Sequence, residues 1–348
     1  MRSSLLRIVA VPLTWIVFVG CGSKTETQKL LTSDELSEAA IEAAYQPAYL
    51  ELATGIKPRA IHPWPCETKP IGHNIASYQD YGGGAYFHHG IDIMANAGSV
   101  VKAAAGGKIV NIENYGGSDA YWEIAILDDE GFIWQYHHVD HESIPQAIHD
   151  ALSSGVNIPS GTIIGKVFYW SQSSFGALFH HIHLNVRGKQ NDFFNPLTFL
   201  EAVPDTKAPV IREIGIIKNG APEPDDDEKG VASDPYSLYV NIDDLMFHDK
   251  YIVPPYWINY RVDNDPVRVV WRFDNLPGGS SNAKYVTDFF IADRTCGDYD
   301  CRKFFINLGF DPQGNRTFTT TPGPHKIIVT ASDFSGNITS KEYGWTVK

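Results

Sequence analysis

The alternation of apolar and polar positions changes character along the chain. After an apolar N-terminal run and a polar stretch, residues 61–203 break into short β-prone runs punctuated by glycine. "SVVKAAAGGKIVNIENY", "YWEIAILDDEGFIWQYHHV", "GTIIGKVFYW" and "HHIHLNVRG" all predict strands. Turns fall at Gly106-Gly107 and at "DDEG", which joins two alternating runs as a hairpin. "DHESIPQAIHDALSSG" has helical spacing instead and predicts a helix inserted among the strands. Residues 207–348 hold many short strand-like runs between Asp, Gly, Pro and Asn turns. They end in "TPGPHKIIVTASDFSGNITSKEYGWTV", which reads as two strands about a turn. "VPDTKAPVI", with its two prolines, separates the two regions as a linker. The predicted fold class is mainly β, an antiparallel β-sheet domain over 61–203 followed by a β-sandwich over 207–348.

Composition narrows this picture without changing it. The 348 residues suit two domains plus accessory segments, and 43% hydrophobic with 20% charged residues excludes wholesale disorder. A formal net charge of −13 argues against a nucleic-acid partner, because phosphate binding needs a basic face.

The N-terminus sets the compartment. In "MRSSLLRIVAVPLTWIVFVGC" Arg2 and Arg7 precede or interrupt an apolar run ending at Gly20-Cys21, so residues 1–20 read as a secretion signal. An uncleaved anchor or an ordinary signal peptide would fit the same run. The small residue before cysteine resembles the bacterial lipoprotein signal, in which Cys21 becomes the lipidated N-terminus, although Phe18 stands where that pattern prefers leucine. Residues 21–60 then form a tether, "GSKTETQ", and a short helix, "TSDELSEAAIEAAYQ", capped by Thr32 or Ser33. The expected location is the bacterial cell envelope, lipid-anchored to a membrane and on the periplasmic side of the outer membrane in a diderm host, with secretion as the alternative. In such an oxidising compartment the spacing of "TCGDYDC" allows a small loop closed between Cys296 and Cys301, which would leave Cys66 unpaired, and the sequence does not decide whether that bond forms.

Histidines carry the candidate chemistry. Seven of the 13 fall in three groups, "YFHHGIDI", "WQYHHVD" and "LFHHIHLNV". On a strand, side chains two apart share a face, so His181 and His183 point together while His180 points away. Two imidazoles joined by an aspartate make a nitrogen and oxygen set that zinc accepts, with a fourth position left for water. "HHGID" offers that aspartate, His88 and Asp92 flanking a glycine expected to allow a tight turn.

These elements resemble the lysostaphin-type (LytM-like) zinc endopeptidase family, which cuts peptides in bacterial peptidoglycan. The family has H-x-G-x-D, then Y-x-H, then H-x-H; here they stand as His88-His89-Gly90-Ile91-Asp92, Tyr136-His137-His138 and His181-Ile182-His183. The resemblance covers about residues 61–200, including "AGSVVKAAAGGKIV" and "GTIIGKV". It implies that His88, Asp92 and His183 bind one zinc ion (Zn2+), with His138 and His181 as the catalytic pair that activates water and stabilises the transition state. His89, His137 and His180 become structural or supporting neighbours. Asn185 replaces an acid usual after H-x-H, Val139 replaces a common leucine, and the helical insertion lengthens one wall of the groove. The implied substrate is a peptidoglycan peptide; a non-catalytic envelope-binding module regulating other wall hydrolases is the alternative.

"TKAPVI" and "ASDFSGN" resemble bacterial immunoglobulin-like (Ig-like) modules, which makes residues 207–348 a candidate surface for an envelope protein partner. Trp64, Tyr78, Tyr81, Tyr86, Phe87, Tyr121 and Trp122 read as core or rim packing that could also line a groove. Asp225 to Glu228 lack the alternation of a calcium loop and read as solvated surface.

Overall fold

Strands in the first half alternate sharply enough to place one face in a core and leave the other polar. The computed structural model describes residues 61–80, 84–218, 221–222, 236–246, 250–276, 280–311 and 318–348. The signal with Cys21, the tether and its helix, Tyr81 and the run Asp225 to Glu228 lie outside these residues. The first half contains β1 (Ile91–Met94), β2 (Val100–Lys102), β3 (Gly107–Asn114), β4 (Trp122–Leu127) and β5 (Ile133–His137). Helix α1 (Gln146–Ser154), β6 (Asn157–Ile158), β7 (Ile163–Lys166), β8 (His181–Arg187) and β9 (Phe193–Phe194) follow.

The main sheet runs β9-β8-β5-β4-β3-β6 and is antiparallel throughout. β1 also pairs with β8, along the edge that β9 takes further on. Ile124, Ile126, Trp134, Tyr136, Ile182, Leu184 and Val186 are fully buried on one face. Burial of each such aliphatic or aromatic side chain contributes about 1.5–3 kcal/mol. The opposite face carries Glu123, Gln135, His137, His181, His183 and Asn185. The expected "DDEG" hairpin is present: Asp128 accepts the backbone N–H groups of Glu130 and Phe132, each at 2.9 Å, and the Trp134 indole N–H at 2.8 Å. The inserted helix is α1, which buries Ile148 and Ala151.

The second half is a β-sandwich with one α-helix among the described residues. Its elements are β10 (Val210–Lys218), β11 (Ser237–Asp243), β12 (Trp257–Val262), β13 (Arg268–Arg272) and β14 (Asn275–Leu276). Then come α2 (Ser280–Phe289), β15 (Phe305–Asn307), β16 (Gly323–Ser332) and β17 (Ile338–Val347). One sheet has the order β10-β11-β15, the other β13-β12-β16-β17. Leu238, Val240 and Ile306 from the first face Ile258, Tyr260 and Val329 from the second in a single core. Cys296 and Cys301 form the disulfide that their spacing allows, while Cys66 is free and buried, its thiol pushed up to about 12 by desolvation.

The halves are joined more deeply than a linker requires. Ile75, Ala76, Tyr78 and Phe87 from the first half belong to the core of the second. β14 pairs with β9, so a strand of the second half extends the sheet of the first. Tyr78 and Phe87 are therefore core residues rather than groove lining, and Trp64 is buried in the core of the first half.

Candidate metal centre

Register brings the candidate ligands together. β1 and β8 pair with Asp92 opposite His183, a spacing at which facing side chains touch. His88 precedes β1, its backbone N–H donating to Ser77 O at 2.8 Å. Gly90 between them does not adopt a positive φ, so the expected tight turn is not the reason for it. The reason is close approach: a Cβ there would stand 2.0 Å from Leu184 O on β8. His88 Nε2 lies 2.7 Å from His183 Nδ1 and 3.1 Å from Asp92 Oδ1, and His183 Nδ1 lies 2.9 Å from the same oxygen.

Hydrogen bonds fix which ring nitrogens carry protons. A carbonyl can only accept, so His88 Nδ1–H donates to Asn74 O at 3.0 Å and leaves the Nε2 lone pair facing the cluster. The same logic applies to His181, whose Nδ1–H donates to Phe179 O at 2.7 Å, and to His138, whose Nδ1–H donates to Ala120 O at 2.7 Å. His181 Nε2 sits 3.7 Å from Asp92 Oδ1, and the His138 and His181 rings are 4.7 Å apart. All five residues named from the sequence thus converge on one place.

The same residues stand inside a recognised stretch of sequence. Residues 86–196 match Peptidase family M23. All five residues lie within this matched stretch. A comparison with curated proteins finds no match. Among solved structures the chain is similar to Helicobacter pylori Csd3 at 20% identity, covering 42% of this chain and 36% of that one, with a TM-score of 0.31. It is similar to the catalytic domain of the antimicrobial peptidase lysostaphin from Staphylococcus simulans at 24% identity, covering 34% and 80%, with a TM-score of 0.25. A zinc-containing peptidase from Vibrio cholerae is similar at 18% identity, covering 37% and 36%, with a TM-score of 0.28. The chain thus spans 36% of the length of Csd3.

The donor set in the matched stretch suits zinc: two imidazole nitrogens and a carboxylate oxygen within reach of one ion, with the His88 Nε2 lone pair facing the cluster. Burial alone would raise the Asp92 carboxyl, but the His88 and His181 rings and hydrogen bonds from His183 and His73 outweigh it and hold it well below the usual range. Desolvation lowers His138, His181 and His183 below the ordinary imidazole value, and neighbouring rings add to the effect. Trp170 lies 4.6 Å from the His138 ring and 5.4 Å from His181, an apolar wall beside the pair.

Three histidines of the clustered groups stand outside the candidate ligand and catalytic sets, in different ways. His180 turns away and accepts the Trp170 N–H at 2.9 Å. His89 stacks on Phe193 at 4.2 Å. His137 shares the polar face, its ring 5.1 Å from His183, and its Nε2 accepts from the Asn185 amide at 3.2 Å. Asn185, the departure from the family pattern, thus supports His137, with Glu123 3.4 Å beyond its other nitrogen. Sequence reading missed His73 and Asn74. His73 Nδ1–H donates to Asp92 Oδ2 at 2.7 Å. Neither belongs to a histidine group or to the M23 match, and no local pattern marks them.

Proposed function

We propose that the chain is a zinc-dependent endopeptidase that hydrolyses peptide bonds in the stem or crosslink peptides of bacterial peptidoglycan. The observation that carries this reading is the convergence of His88 Nε2, Asp92 Oδ1 and His183 Nδ1 beside two histidines whose Nε2 atoms bear lone pairs. A bound zinc would polarise the scissile carbonyl and lower the pKa of water at its open position to about 7. His181 Nε2, nearest the ligand carboxylate, is the atom to take a proton from the attacking water. Once protonated, it or His138 donates from the same atom, to the oxyanion or to the leaving amine. Their lowered basicity keeps both rings neutral, hence competent as bases, at and below neutral pH. A non-catalytic module would have no need of all five groups in one geometry.

The same reading sets the enzyme at the cell envelope, anchored through lipid on Cys21; the N-terminal Arg, apolar run and Gly-Cys pattern supports this.

Purified protein should hold about one zinc per chain, solubilise purified peptidoglycan, and lose that activity to a chelator. His181→Ala should keep its metal and lose roughly 100-fold or more in rate, the usual loss for a general base. Zinc-loaded parent protein that leaves both intact peptidoglycan and defined muropeptides uncut would overturn the reading.

A further inference from the structure

Residues 72–74 hold the candidate ligands from behind, and the second half holds residues 72–74. His73 is 1% exposed and donates to Asp92 Oδ2, the carboxylate oxygen turned away from His88 and His183. Asn74 offers its carbonyl to His88 Nδ1–H. One tripeptide therefore orients two of the three ligands: it assigns the two Asp92 oxygens separate tasks and fixes the His88 tautomer.

Each of these three residues is in turn met by the second half. The Arg302 Nη1 group donates to Gly72 O. Gly297, inside the Cys296–Cys301 loop, packs against His73 with its carbonyl oxygen 3.3 Å from Nε2, a steric contact and not a hydrogen bond while Nδ1 carries the ring's proton. The Asn74 side-chain amide donates to Pro254 O at 2.8 Å. Arg302 is 4% exposed, and its guanidinium lies over Phe175, Phe179 and Tyr251 at 5.7, 5.6 and 5.0 Å. Gly297 is pressed so closely on the first half that a Cβ there would stand 1.6 Å from Tyr78 O. The loop is thus in direct contact with the backbone at Tyr78, four residues beyond Asn74.

We propose that His73 is a positioning residue for Asp92, and that the second half completes the metal site by clamping residues 72–74 with Gly297, Arg302 and Pro254. The proposal rests on the zinc reading above. Partners that orient metal ligands typically carry about 10–100-fold in metal affinity, which makes the clamp measurable apart from catalysis.

The test is zinc affinity of the full chain, by competition with a chromophoric chelator, beside thermal melting of the metal-free proteins. His73→Leu should weaken zinc about 10–100-fold. His73→Asn should recover most of that loss, because its amide nitrogen can stand where Nδ1 stood. Gly297→Ala, which alters only the second half, should weaken zinc as well. The inference fails if the parent binds zinc and His73→Leu, still folded, binds it equally, or if Asn is no better than Leu. A parent with no zinc affinity would sink the metal reading itself, and the clamp with it.

Discussion

His138 owes its place in the site to one dihedral angle. Trp134 and Tyr136 on β5 point into the core, and strict alternation would send His138 after them. Its φ of +64°, a left-handed value that non-glycine residues rarely adopt, turns the ring to the polar face instead. The sequence pattern therefore exposes the shared face of His181 and His183, but only family resemblance brings His138 to them. Burial then sets the chemistry of the whole cluster. Desolvation lowers His137, His138, His181 and His183, and carries His73 down to about 3. An unfolded chain would take up these protons near pH 6.5, the ordinary imidazole value, whereas the folded one does not. The stability held by the neutral rings is thus full above about pH 6.5 and is lost as pH falls toward the lowered folded values. Melting temperatures of the metal-free protein should hold from pH 7.5 to about 6.5 and fall from there to pH 5.5. A flat or rising trend would mean that these rings are not buried neutral.

β8 is the element on which the site depends. Its core face, Ile182, Leu184 and Val186, anchors it, and its other face presents His181, His183 and Asn185. Such period-two strands are legible because a one-residue slip would bury the histidines and expose the aliphatics. Helix α1 is legible for the matching reason, Ile148 and Ala151 lying one turn apart. Helix α2 was not expected: its apolar signal, Val286 and Phe289, spans a single turn within a region that reads as short strands and turns. The function of Gly90 was also hidden, since sequence does not show which backbone passes beside it. Alanine suits the Gly90 backbone angle yet leaves its Cβ 2.0 Å from Leu184 O, so β1 and β8 must part. Gly90→Ala should lower the melting temperature and weaken zinc together, measured by calorimetry and chelator competition. Parent-like values of both would show that the two backbones can yield there without disturbing the ligands.

At the scale of the whole molecule, the proline-bearing linker near residues 204–209 reads as a border between independent modules, and the packing crosses it. Ile75, Tyr78 and Phe87 are 1%, 6% and 0% exposed, and their partners lie in the second half. No periodicity can reveal such pairing, because the contacts join residues far apart in sequence, as in Asn74 with Pro254. Uncovering three large apolar side chains forfeits about 1.5–3 kcal/mol each. That is comparable to the roughly 5–15 kcal/mol by which a domain is stable at all. Removing the second half also takes β14 from the edge of β9, leaving the backbone groups on that strand's outer edge unpaired. A fragment of residues 61–203 should therefore be recovered poorly or melt far below a chain of residues 61–348. Whatever fraction folds should hold zinc more weakly, since Gly72, His73 and Asn74 have lost their supports. Expressing both lengths and comparing their melting curves decides the matter: a fragment as stable as the longer chain would return the second half to the status of a separate module.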